Sequence, residues 1–231
     1  MKMTFRWYGK NNDSVSLEQI RQIPGVEWIV WALHDKQPGE IWEINEIEQV
    51  RNELSEYGFH MEVVESVGVH DDIKLGLPSR DVYIENYKTT LRNLAKFGVK
   101  VVCYNFMPIF DWTRTDFYHP LPDGSTALFY EKSKILDDPK KMVEYMETHS
   151  GDYTMPGWEP ERMARINELF QQYEGFGKEQ LWDSLKYFLE ALMPTCHECG
   201  IKMAIHPDDP PWDIFGLPRL LINEEAIERC L

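Results

Sequence analysis

Residues 98–106, Gly-Val-Lys-Val-Val-Cys-Tyr-Asn-Phe, decide the fold. Val99–Phe106 has strand length and is largely apolar without clean alternation, as expected of a parallel strand covered on both faces. Just before it, Ile84, Tyr87, Leu91, Leu94 and Ala95 recur at the spacing of one helix face. Gly98 stands between that stripe and the strand, where a helix C-cap enters an αβ loop. Helix, glycine and strand in succession make half of a βαβ unit.

The same succession repeats outward in both directions. Met3–Tyr8, Val26–Leu33, Phe59–Ser66 and Ile201–His206 are further strand-length runs. Ile47, Val50, Leu54 and Tyr57 form a second stripe, Leu181, Leu185, Phe188, Leu189 and Leu192 a third, with Gly58 and Gly200 as the matching caps. The pattern predicts an α/β fold of right-handed βαβ units, a (β/α)8 TIM barrel of which this chain holds the first five units. Residues 1–231 are then one barrel domain.

A barrel unit takes roughly 30 residues, so five use about 150 and leave a surplus. That surplus lies at 107–177, expected to be an insertion after the fourth strand that serves as a lid or subunit contact. It contains an aromatic, proline-bearing loop from Pro108 to Tyr130 and two helical stretches, the second placing Met163, Ile166, Phe170 and Tyr173 on one face. At the other end Asn223 reads as an N-cap, and a stripe of Ala226, Ile227, Cys230 and Leu231 runs into the last residue. Five parallel strands would also leave an open edge. The chain is therefore expected to be the N-terminal portion of a longer protein of eight units.

Lys plus Arg number 24 against 39 Asp plus Glu, a formal charge of −15 that would repel a phosphate backbone and excludes nucleic acid as the expected partner. No stretch approaches the roughly 20 apolar residues of a membrane span, and Met1–Lys10 lacks a signal-peptide core. A cytoplasmic protein is expected. Four cysteines are too few for a disulfide framework, so free thiols follow.

In a βα-barrel the C-terminal ends of the strands build the active site. His206, followed by Pro207, Asp208, Asp209, Pro210, Pro211 and Trp212, ends the fifth strand and faces inward if Ile201, Met203 and Ile205 face the helices. It is a metal-ligand or catalytic candidate, with a backbone-satisfied buried histidine as the plain alternative. One histidine does not make a metal site. Beyond the fourth strand lie Asn105, Asp111, Trp112, Arg114 and Asp116. An arginine fork beside an indole and carboxylates suits a small carboxylate substrate, although a rim loop with an internal Arg–Asp pair would look the same. His34-Asp35 ends the second strand and Glu65 with His70-Asp71-Asp72 the third. Each is weak alone; their convergence on one mouth depends on the barrel. Cys196-His-Glu-Cys199 has CxxC spacing but no second pair and lies at a helix end, so packing thiols are expected. Glu43, Glu46, Glu48 and Glu53 read as a solvated helix face.

Arg6-Trp-Tyr-Gly9, Ala32-Leu-His-Asp35 with Gly39-Glu40, Val64-Glu-Ser-Val67 with His70-Asp-Asp-Ile-Lys74, Cys103-Tyr-Asn-Phe-Met-Pro108, Asp111-Trp-Thr-Arg-Thr-Asp116 and Ala204-Ile-His-Pro-Asp-Asp-Pro-Pro-Trp212 together closely resemble the mannonate dehydratases of the hexuronate pathway. The resemblance implies a xylose-isomerase-like barrel. It also implies a divalent metal, usually Mn2+ with Fe2+ the alternative, and removal of water from D-mannonate to give 2-dehydro-3-deoxy-D-gluconate. His206 matches the first metal ligand of the family, whose remaining ligands lie beyond Leu231. On that chemistry Arg114 and Trp112, with Asp111, His34 and His70, are expected to bind the sugar acid. Asn105 would act at a hydroxyl, and Asp208 would position His206 or a water. The expected assembly is a homo-oligomer, a dimer. Two other functions stay open: another metal-dependent sugar isomerase or epimerase on the same barrel, and a non-catalytic sugar-acid-binding module.

Overall fold

The computed structural model describes residues 2–10, 12–151 and 164–231. In chain order the elements are β1 (Met3–Arg6), α1 (Leu17–Arg21), β2 (Val26–Trp31), α2 (Ile44–Glu56), β3 (His60–Glu65), α3 (Asp71–Leu75), α4 (Arg80–Ala95) and β4 (Val101–Tyr104). There follow β5 (Asp116–Pro120), β6 (Thr126–Phe129), α5 (Pro139–His149), α6 (Ile166–Gln172), α7 (Lys178–Cys199), β7 (Lys202–Ile205) and α8 (Glu224–Cys230). They group into two compact units, Met1–Phe106 with Trp182–His206, and Met107–Leu181 with Pro207–Leu231.

In the first unit five strands form one sheet in the order β1-β2-β3-β4-β7, every neighbouring pair parallel. Each new strand joins beside the last and the order never reverses. That is how a barrel is laid down; a doubly wound sheet reverses at a switch point. Among the described residues the sheet stays open, with β1 and β7 at its edges.

The core follows the apolar stripes. Ile29, Val64 and Val102 in the middle strands are at most 1% exposed. Against them lie Ile47 and Leu54 of α2, Ile84, Leu91 and Leu94 of α4, and Leu185, Phe188 and Leu192 of α7, all buried. The Phe188 ring takes Tyr87 edge-on at 5.2 Å and lies 5.8 Å from both Tyr104 and Phe106. Side chains of this size contribute about 1.5–3 kcal/mol each on burial, so the stripes alone fix which faces turn inward. Helix α2 stops at Gly58, whose φ of 75° is left-handed, and the amides of Gly58 and Phe59 close back on Ser55 and Leu54. Gly98 plays the same part at φ 82° after α4.

Strand β7 differs from the expected alternation. Met203, Ala204 and Ile205 are all half-buried and His206 is exposed, because an edge strand has a neighbour on one side only.

The second unit holds a correction. The segment Pro108–Tyr130, expected as a loop, contains the antiparallel hairpin β5–β6, turned through Pro122-Asp123-Gly124. Asp123 Oδ1 accepts from the Ser125 amide at 3.0 Å, and Gly124 takes a φ of 86°. Helix α5 starts with Pro139 behind Asp138, whose carboxylate accepts from the Lys140 amide. Helix α6 buries Ile166 and Leu169, and Tyr173 just past its end is buried too, so Leu169 takes the place expected for Phe170. Phe170 is half-buried, with its ring centroid 6.0 Å from that of Phe110. Met163 lies outside the described residues. Helix α8 begins as expected, with Asn223 Oδ1 accepting from the Ala226 amide at 2.9 Å.

Candidate functional site

Parallel strands point their C-terminal ends, and the side chains there, the same way. In the first unit that end gathers the tips of three consecutive strands. Arg6 is the last residue of β1 and Glu65 the last of β3, while His34 follows β2. The Arg6 guanidinium reaches across β2. Its Nη1 donates to the Trp7 carbonyl at 2.9 Å and to the Val30 carbonyl at 3.3 Å, and its Nη2 lies 3.4 Å from His34 Nε2. Nε stands 3.8 Å from Glu65 Oε2, beyond hydrogen-bond distance. The Tyr8 ring backs the guanidinium at 4.3 Å and stacks on His34 at 5.3 Å.

A guanidinium only donates, so His34 Nε2 must accept and the proton sits on Nδ1. Burial, reinforced by the Arg6 charge, pushes the imidazole pKa down to about 4. His34 is therefore neutral near pH 7 and serves as an acceptor that orients Arg6. Burial also lowers the guanidinium pKa of Arg6 from its usual value. Cys103 on β4 is pushed up to about 11, first by burial and then by the Glu65 charge, so it stays a thiol at neutral pH. Asn105 is half-buried one residue past β4.

His206 follows β7, and its amide donates to the Tyr104 carbonyl at 2.8 Å, continuing the β4–β7 ladder by one residue. His70 caps α3. Its Nδ1 accepts from the Asp72 amide at 3.1 Å, and its ring stacks on Tyr83 at 3.7 Å. Because that lone pair is taken, the 3.5 Å approach of Asp72 Oδ1 is no ion pair while the ring is neutral. Cys196 and Cys199 lie in the last turn of α7, and burial raises both thiols, Cys196 to about 11.

The second unit carries its own charged cluster. Arg114 makes a two-pronged pair with Asp209 at 2.9 and 2.5 Å, also donates to the Thr113 carbonyl at 2.8 Å, and lies 5.2 Å from the Trp112 ring. Its fork is thus engaged by a carboxylate of the chain itself. Trp212 Nε1 donates to Tyr130 Oη at 3.2 Å. Asp208 is 7% exposed, and its Oδ2 accepts from the Leu221 amide at 2.7 Å while Oδ1 is buried without a hydrogen-bond partner. Burial raises its pKa, opposed by the Arg219 charge.

Arg219 is fully buried. Nη1 donates to the Phe110 carbonyl at 2.9 Å, and Nε and Nη2 have no hydrogen-bond partner. Asp208, Asp111, Asp209 and Asp213 surround it with negative charge, which opposes the lowering of its pKa by burial. Sequence reasoning passed over both Arg6 and Arg219 as functional candidates. The signals were present: Arg6 ends a strand as His34 does, and Arg219 is a lone charge in Gly216-Leu-Pro-Arg-Leu-Leu-Ile222.

A resident divalent metal needs three or four protein donors. Among the described residues no three His, Cys, Asp or Glu side chains come together to hold one. This chain's described residues therefore do not by themselves fit a metal ion.

The sequence model of the D-mannonate dehydratase (UxuA) family matches residues 1–231. The chain is similar to the mannonate dehydratase of Shouchella clausii, at 60% identity over all of this chain and 64% of that protein. It is likewise similar to mannonate dehydratase 1 of Bacillus licheniformis, at 61% identity over all of this chain and 63% of that protein. Among solved structures it resembles the mannonate dehydratase of Streptococcus suis serotype 2 with a TM-score of 0.82 and 47% identity, over 99% of this chain and 60% of that one. The chain thus spans 64% of the length of the Shouchella relative and 63% of the Bacillus licheniformis one.

Proposed function

This chain belongs to the D-mannonate dehydratase (UxuA) family, and we propose that the protein removes water from D-mannonate to give 2-dehydro-3-deoxy-D-gluconate. The match of the family over residues 1–231 carries this reading. The cluster of polar groups at the C-terminal ends of β1, β2 and β3 is the end of the sheet where such folds bind their ligands.

The reaction takes the proton from C2 of the sugar acid and breaks the C3–O bond. The hydroxyl leaves with a proton as water, and the resulting enol takes a proton at C3 to become the 2-keto acid. Charge builds on the substrate carboxylate as C2 loses its proton, so cationic and hydrogen-bonding groups near it lower the barrier. A general acid must meet the departing hydroxyl. Within this proposal Asn105 acts at a hydroxyl, and His34 acts as an acceptor that holds a donor in place. Arg114 and Trp112, with Asp111, are assigned to the sugar acid on condition that a ligand carboxylate displaces Asp209 from the Arg114 fork.

A divalent cation, Mn2+ or else Fe2+, belongs to the same proposal, with His206 as one imidazole ligand. When bound it would supply Lewis-acid stabilisation of the carboxylate. Among the described residues no three His, Cys, Asp or Glu side chains gather into a ligand set, so what supports the cation is the family match. A cytoplasmic homodimer is proposed as the setting; among the described residues no helix is long and apolar enough to cross a membrane.

The test is turnover. With manganese present, the protein should convert D-mannonate to a 2-keto-3-deoxy acid, detected as the keto product, and leave free aldoses and ketoses untouched. Interconversion of aldoses and ketoses would establish the isomerase reading in its place. Metal-independent binding of D-mannonate with no keto acid formed would establish the binding-module reading.

A further inference from the structure

Arg6 and Glu65 stand half-exposed at the ends of β1 and β3, and their geometry is incomplete in a particular way. A guanidinium offers five N–H groups. Two, on Nη1, are held by the carbonyls of Trp7 and Val30, and one on Nη2 points to His34. The Nε–H is left toward Glu65, yet Nε and Glu65 Oε2 stop at 3.8 Å. A direct charge-assisted bond would close to about 2.7–2.9 Å.

A hydroxyl oxygen about 2.8 Å from each partner, with its hydrogen and lone pair roughly 109° apart, spans about 4.6 Å, so the Glu65 carboxylate, 40% exposed, admits one by moving out a little under ~1 Å. The hydroxyl would accept from Arg6 and donate to Glu65, as a neutral hydroxyl can and a carboxylate cannot. The pair is reachable by a ligand, since the Arg6 side chain is 21% exposed and that of Glu65 40%. Arg6 is also held stiff. Tyr8 backs the guanidinium, His34 accepts from it, and two backbone carbonyls fix its other end.

We propose that Arg6 and Glu65 grip a single hydroxyl of a polyhydroxy acid between them, making them specificity-determining contacts for the substrate. The inference rests on the dehydratase reading for the identity of that acid. It goes beyond that reading in assigning hydroxyl recognition to Arg6 and Glu65, neither of which has a role in it. His34 is the positioning residue, acting only through Arg6.

Calorimetric titration of the protein with D-mannonate, with Mn2+ present in the buffer, tests the grip, alongside the steady-state constants. Glu65→Gln and Arg6→Lys should each raise the dissociation constant and KM about tenfold to a hundredfold, the usual cost of one charge-assisted hydrogen bond, while kcat stays within about threefold. In binding, the series of 2-, 3-, 4-, 5- and 6-deoxy sugar acids should contain one member for which Glu65→Gln costs nothing, because the gripped hydroxyl is already gone. Unchanged affinity in both variants, with thermal unfolding like that of the unaltered protein, would overturn the proposal. So would an equal loss on every deoxy acid, which indicates a general field and no single hydroxyl. Failure of the unaltered protein to turn over D-mannonate while still binding it would sink the dehydratase reading and leave the grip standing.

Discussion

The strand-end cluster of the first unit and the Arg114–Arg219 cluster of the second use charge in opposite ways. In the first, Arg6, His34 and Glu65 stand half-exposed at the strand ends, and Arg6 Nε stops 3.8 Å short of Glu65 Oε2. In the second, Arg114 is closed on Asp209, and Arg219 and Asp208 are sunk out of solvent. A side chain that keeps an open donor beside water can recognise a ligand at little cost to the fold. A buried charge is committed to its neighbours, and its removal is felt as instability.

The sharpest way to break that contrast is Arg219→Ala. It leaves the Phe110 carbonyl without its donor and strips Asp208 of the nearby cation, so unfolding in urea should show a loss of about 3–5 kcal/mol. A loss below about 1 kcal/mol would mean that the second unit does not depend on its buried charge.

Acid titration comes next, because the two units carry opposite signs. His34 has its folded pKa depressed to about 4 from 6.5, so between those values the unfolded chain binds the extra proton and stability falls as pH drops. Its contribution is whole above about pH 6.5 and spent below about 4, and solvent screening at this half-buried site holds it to about 1–2 kcal/mol. Asp208 is raised above 3.8, so the folded state keeps its proton longer and stability falls as pH rises through that window. Urea midpoints between pH 4 and 7 should therefore lose slope in His34→Gln and gain it in Asp208→Asn. The reverse pattern would place the acid sensitivity elsewhere.

The smallest effect is expected at Arg114→Lys. It keeps the charge but loses the two-pronged geometry with Asp209, and at a partly exposed pair that costs about 1 kcal/mol or less. A larger loss would move Arg114 into the same class as Arg219.

Much of this was legible beforehand. All five parallel strands fall inside the apolar runs read from the chain, and α2, α4 and α7 coincide with the three stripes. Gly58 and Gly98 take the left-handed turns that their places demand. The hairpin β5–β6 was not legible, since Asp-Phe-Tyr-His-Pro and Thr-Ala-Leu-Phe are four or five residues long and show no alternation strong enough to separate them from loop. At the site, His34 was marked by its strand end, and Arg6 by the same logic should have been. His70 looked equivalent in sequence, but its ring nitrogen accepts from the α3 amide it caps. Arg114 is legible as a fork, with an Arg–Asp pair as the open alternative; that Asp209 closes it depends on a residue 95 positions away.

By itself the sequence determined the periodicities, the caps and therefore the succession of parallel strands, because those depend on neighbours within a dozen residues. Which donors are spent and which remain open was decided only in three dimensions. The 3.8 Å gap between Arg6 and Glu65 and the burial of Arg219 arise from residues brought together across long stretches of chain, and hydrogen bonding at that range turns on fractions of an ångström that no local pattern encodes.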